Sequence, residues 1–126
     1  MKKNETLIML LCLLFLSISG CKKGSEITCN LSTAANQPPV DMSVVYTATQ
    51  TGDGTISSLS YETITGTVTV SNPTLPWTVV VNVLSTTAVK ISASGTTKNG
   101  SLKISYLGET SSSKISGSDY CEQQTN

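Results

Sequence analysis

From residue 42 onwards the chain alternates apolar and polar residues with a period of two, the signature of strands with one buried face. In VVYTATQ, Val44, Tyr46 and Ala48 share a face, and in TISSLSYE, Leu59 and Tyr61 do. ITGTVTVS turns Ile64, Gly66, Val68 and Val70 inward and three threonines outward, as expected of an antiparallel strand open to water on one side. TVVVNVL is apolar on both faces, through Val79, Val81 and Val83 and through Val80 and Leu84, which predicts a central or covered strand. AVKISAS places Val89, Ile91 and Ala93 inward; SLKISY does the same with Leu102, Ile104 and Tyr106. A last strand is expected over about 112–121.

Turn chemistry separates these runs. Thr51-Gly52-Asp53-Gly54 offers glycines for positive φ, and Asn99-Gly100 is the strongest short-range hairpin cue. Pro73 and Pro76 interrupt the chain before Trp77. Seven strands at near-even spacing, with no helical periodicity after the N-terminal segment, predict an all-β, seven-stranded antiparallel sandwich of immunoglobulin-like type over 42–126. Residues 21–41, with Gly24, Asn36 and Pro38-Pro39, read as an extended tether.

The N-terminal segment has another character. Lys2 and Lys3 precede an apolar block at 7–16, far short of the roughly 20 residues that span a bilayer as a helix. A charged start, a short apolar core and small residues are the parts of a secretory signal. Ile18-Ser19-Gly20-Cys21 follows the core and resembles the lipobox of bacterial lipoproteins. That resemblance implies a signal peptide over 1–20, cleavage before Cys21, and acylation of the Cys21 thiol, so that membrane lipid is the first partner. Two or more acyl chains anchor firmly where one is marginal. Lys22, not an aspartate, follows the cysteine, which points to the outer membrane facing the periplasm, with Lys22 and Lys23 at the headgroups.

Composition narrows the chemistry. About a third of the residues from 21 to the end are serine or threonine, which favours strands. The chain has no histidine and no arginine, and its eight lysines balance eight acidic residues. The usual general base, the commonest nitrogen metal ligand and the phosphate fork are therefore missing. No basic patch argues for nucleic acid. Asp41, Asp53, Glu62, Glu109 and Asp119 are scattered over turns and strand ends, with no spacing that marks a carboxylate pair, so they read as solvated turn residues. No catalytic residue, cofactor or metal site is expected. Cys29 and Cys121 are expected to form a disulfide in an oxidising envelope, tying the domain's start to its end. Trp77, the only tryptophan, is either a plug at the sandwich end or a candidate ligand contact.

One ordered set of short pieces carries a family likeness: Tyr46 with Thr51-Gly52-Asp53-Gly54, SSLSY at 57–61, LPW at 75–77, KISASG at 90–95 and GSLKIS at 100–105. Their order and spacing resemble the soluble domain of the MmpS family, accessory proteins of RND-type MmpL transporters, over about residues 42–108. The resemblance implies a non-enzymatic β-sandwich that assists export, with a membrane transporter as partner. MmpS proteins carry a transmembrane helix where this chain has Cys21, and a basic residue often follows LPW where this chain has Thr78. The other function the composition allows is a carbohydrate- or small-ligand-binding module built around Trp77.

Overall fold

The computed structural model describes residues 25–123. They form eight strands: β1 (Ile27–Ser32), β2 (Met42–Thr51), β3 (Thr55–Thr63), β4 (Gly66–Ser71), β5 (Trp77–Val83), β6 (Ile91–Thr97), β7 (Ser101–Glu109) and β8 (Lys114–Glu122). Two antiparallel four-stranded sheets result, one ordered β1-β6-β3-β4 and the other β5-β2-β7-β8. This is the expected all-β sandwich, with eight strands in place of seven. Only β3–β4 and β7–β8 are hairpins within a sheet; every other connection crosses between the layers.

The additional strand is β1. The expectation of a tether up to residue 41 does not hold for its described part, because Ile27–Ser32 pairs with β6. The pairing continues past the strand end. Thr33, buried, donates its backbone N–H to the Ile91 carbonyl (3.0 Å) and accepts the Ile91 N–H on Oγ1 (3.1 Å). Asn36 bridges to Val89. β1 does alternate, with Ile27, Cys29 and Leu31 facing inward, but the run is only six residues long and lies among the Gly, Asn and Pro residues that read as a tether.

Between the sheets lies one core. Leu31, Ile56, Leu59, Ile91 and Ala93 come from the first sheet; Met42, Val44, Tyr46, Val83, Leu102, Ile104, Tyr106 and Ile115 come from the second. Tyr106 lies over Gly117, its cross-strand partner on β8; a Cβ there would sit 2.8 Å from the ring's Cζ, so the ring occupies the space a side chain would take. Aliphatic and aromatic burial drives the assembly, at roughly 25 cal/mol per Å² of apolar surface removed from water.

Two strands depart from expectation. β5 is an edge strand, not a central one, and its outer residue Val80 is 63% exposed. Apolar residues on both faces of a strand are compatible with an edge when the outward ones are few, and here they are Val80 and, just past the strand, Leu84. Ile64 is not inward either: it occupies the β3–β4 turn and is 57% exposed, because Thr63 pairs with Gly66 and leaves 64 and 65 as the turn. Val68 and Val70 do lean inward but stay half-buried, since β4 is an edge.

Candidate functional site

The side of the sandwich formed by β1 and β8 is closed. Cys29 and Cys121 form the expected disulfide, with Cα atoms 5.9 Å apart, and join the two sheets across 92 residues of sequence. Next to it Asp119, on the inward face of β8, accepts the Ser32 backbone N–H at 3.0 Å. The Gln123 side chain donates to the Ser25 carbonyl at 3.2 Å. This places the exit towards Cys21 at the same end of the sandwich as the turns at 52–54 and 98–100. Cys21 itself lies outside the described residues.

Those two turns are locked together by Asp53. Its Oδ1 accepts the Lys98 N–H (2.9 Å), the Asn99 N–H (3.0 Å) and the Thr97 hydroxyl (3.0 Å). These donors stabilise the carboxylate, the Asn99 and Lys98 amides most, and hold its pKa below the ordinary value. Gly52, at φ +64°, supplies the left-handed step that the turn needs, and a Cβ there would run into the Asn99 backbone. Other acidic groups do comparable local work. Asp41 accepts the Ser85 N–H (2.8 Å), and Glu62 accepts the Thr67 hydroxyl (2.7 Å). The acidic side chains are thus spread over separate turns and strands, with Asp119 facing inward within β8 instead of lying in a solvated turn, and among the described residues no group of three His, Cys, Asp or Glu side chains could hold a metal ion.

Trp77 sits at the start of β5, half-buried, as the last member of an aromatic row. Its ring centroid is 5.5 Å from that of Tyr61, which is 5.2 Å from that of fully buried Tyr46. Tilted rings at these separations add to the burial of each. Trp77 therefore caps the core from its edge and keeps part of its surface towards solvent. Tyr46 donates its hydroxyl to the Glu62 carbonyl (2.8 Å), and burial pushes its pKa up to about 12.

Two concave surfaces were not evident from the sequence. One is a shallow trough of about 210 Å³ on the outer face of the β1-β6-β3-β4 sheet, lined by Asn30, Ser32, Ser58, Ser60, Ser92 and Ser94 over Leu31 and Ala93. Register explains it: Asn30, Ser94, Ser58 and Ser71 form one cross-strand row, and Ser32, Ser92, Ser60 and Thr69 the next. Small hydroxyls on four strands make a flat, uncharged surface that both donates and accepts hydrogen bonds. Alternating serines in separate strands were visible in the sequence; their alignment across strands was not. The other is a groove of about 380 Å³ at the opposite end from the Cys21 exit, lined by Met42, Ile64, Val83 and Leu84 with Asp41 and Asn82.

Among the described residues, no helix is long and apolar enough to cross a membrane. Comparison with protein families, with curated proteins and with solved structures gives no match for this chain.

Proposed function

We propose that this chain is a lipid-anchored bacterial envelope protein whose β-sandwich works by binding, as a non-catalytic accessory of a membrane transport complex. The observation that carries this is Ile18-Ser19-Gly20-Cys21, which resembles a lipobox, directly after a short apolar core. The sandwich begins six residues after Cys21, at Ile27, which at about 3.3–3.6 Å per residue keeps the domain within roughly 20 Å of its anchor. A rigid domain held so close to a membrane has a high effective concentration towards other envelope proteins. The likeness to MmpS proteins supports a transporter as that partner, and the scatter of the acidic side chains supports binding over catalysis.

Mass spectrometry of the mature protein tests the anchor: a polypeptide starting at Cys21 with added acyl mass is expected, and one that retains residue 1 or lacks acyl chains rejects it. In-cell crosslinking tests the role, with a membrane protein as the expected capture. A second reading, a carbohydrate- or small-ligand-binding module, is favoured by two separate features, the uncharged serine trough on one sheet and half-exposed Trp77 on the other. Quenching of Trp77 fluorescence by iodide, and its response to glycans, separates the two.

A further inference from the structure

The four sheet edges are not equivalent. An edge strand exposes a row of unpaired N–H and C=O groups, and proteins blunt it with charge, proline, inward-pointing charged residues or a cover. β8 carries Lys114, Glu122 and the inward Asp119, and β1 is joined to it by the Cys29–Cys121 disulfide and the Asp119–Ser32 hydrogen bond. β4 is short, and its outward side chains Thr67 and Thr69 are hydroxylic and already bonded to Glu62 and Ser60. β5 resembles β4 in its hydrogen-bonded outward Thr78 and Asn82, but differs in having an apolar residue, Val80, at its outward centre. Its sequence, WTVVVNV, holds no charge and no proline, and among the described residues it pairs only with β2. Its outward Val80 lies in a cross-strand row with Val45 and Leu107, and Val80 and Leu107 are 63% and 41% exposed.

We infer that the β5 edge is a self-association surface, on which two copies of this chain pair β5 against β5, antiparallel, about a two-fold axis at Val80. The strand is matched to itself about that point. Trp77 would oppose Val83, Thr78 would oppose Asn82, and Val79 would oppose Val81. Polar residues meet polar ones on the outer face beside Val80, and apolar residues meet apolar ones on the inner. Val80 would oppose Val80, so the apolar row would run unbroken as Leu107, Val45, Val80 and then the same three residues of the second copy in reverse. A neutral strand incurs no like-charge repulsion on meeting its own copy.

An isologous two-fold is also the commonest symmetry of soluble oligomers. With the axis normal to the sheet, two four-stranded sheets become one of eight and the inner faces stay on the same side. The pairing leaves residue 25 of each copy clear of the seam, since β1 lies at the far edge of the other sheet. The inference does not depend on acylation of Cys21.

Site-directed crosslinking on the full chain, in membranes and after mild detergent extraction, tests it. Val80→Cys places a thiol on the proposed axis, and mild oxidation is expected to give a reducible species of twice the chain mass. Ser116→Cys, on exposed β8, and the unaltered chain are the controls and should give only background. Thr78→Cys and Asn82→Cys should crosslink when the two variants are mixed, and neither should do so alone. Val80→Lys, at a position mostly open to water, should convert the dimer to monomer in sedimentation while leaving the fold intact by circular dichroism. Three results would each overturn the inference: V80C crosslinking no more than S116C; V80K remaining dimeric; or V80C captured by a different protein instead of a second copy.

Discussion

The Tyr46 hydroxyl donates a 2.8 Å hydrogen bond to the backbone carbonyl of Glu62, and so joins β2 of one sheet to the end of β3 in the other. Tyr46 is fully buried, and its phenol stays neutral up to about pH 12 because burial penalises the anion. In the unfolded chain the same phenol ionises near its ordinary pKa of 10.0. Between those values the unfolded state binds fewer protons than the folded one, so stability falls as pH rises. The contribution is whole below about pH 10 and is lost progressively as pH climbs through about 12, with a total on the order of 3 kcal/mol. Urea unfolding between pH 8 and pH 12 should show this decline. Tyr46→Phe should be less stable at pH 8 by about 1 kcal/mol, the usual worth of a lost hydrogen bond, and should show a shallower decline.

Asp53 governs the end of the sandwich nearest the Cys21 exit. Its carboxylate is stabilised by the Asn99 and Lys98 amides and the Thr97 hydroxyl, and its lowered pKa means that its contribution is present above the ordinary carboxylate value and is lost as pH falls through the folded one. Asp53→Ala should lower the melting temperature at pH 7 and reduce its acid dependence below pH 4. Hydrogen exchange should report faster opening of the Lys98 and Asn99 amides in this variant than of amides in the β7–β8 ladder.

The Cys29–Cys121 bond closes a 92-residue separation. In the chain-entropy account such a loop is worth about 4–5 kcal/mol, and measured losses for native disulfides run at about 2–5. Cys29→Ser with Cys121→Ser should lower the urea midpoint accordingly. Because Cys29 is itself buried, part of the loss will be packing, and reduction of the unaltered protein should therefore cost less than the double substitution.

Trp77→Ala should destabilise the domain by about 2–3 kcal/mol, below the ~3–5 typical of fully buried aromatic truncations, because the ring is half-buried against Tyr61. Differential scanning calorimetry measures this directly. A loss under about 1 kcal/mol would mark the ring as a surface platform.

Cys21→Ser should abolish acylation and release the protein from membrane pellets into the soluble fraction, with the melting temperature of the sandwich unchanged. Fractionation followed by thermal unfolding of the released protein measures both.

The chain's own pattern determined a good deal. Strict alternation in β2, β6 and β7 set their inward faces, because one face of each strand must leave water. The Asn99-Gly100 and Gly52-Asp53-Gly54 turns were equally legible from their residue types, although of these residues only Gly52 takes a positive φ. Cys29 and Cys121 were readable as a pair because no other partner suited either.

What tertiary structure decided was adjacency. β1 is short, with Ile27, Cys29 and Leu31 inward, and it is the edge offered by β6 that makes it a strand. β5 is apolar on both faces, and only its position at the end of a sheet turns Val80 from a core residue into an exposed one. The serine trough exists because register aligns hydroxyls from strands far apart in sequence. Periodicity fixes which way a side chain points along its own strand; which strands stand beside it is set by burial summed over the whole chain, and no local stretch contains that sum.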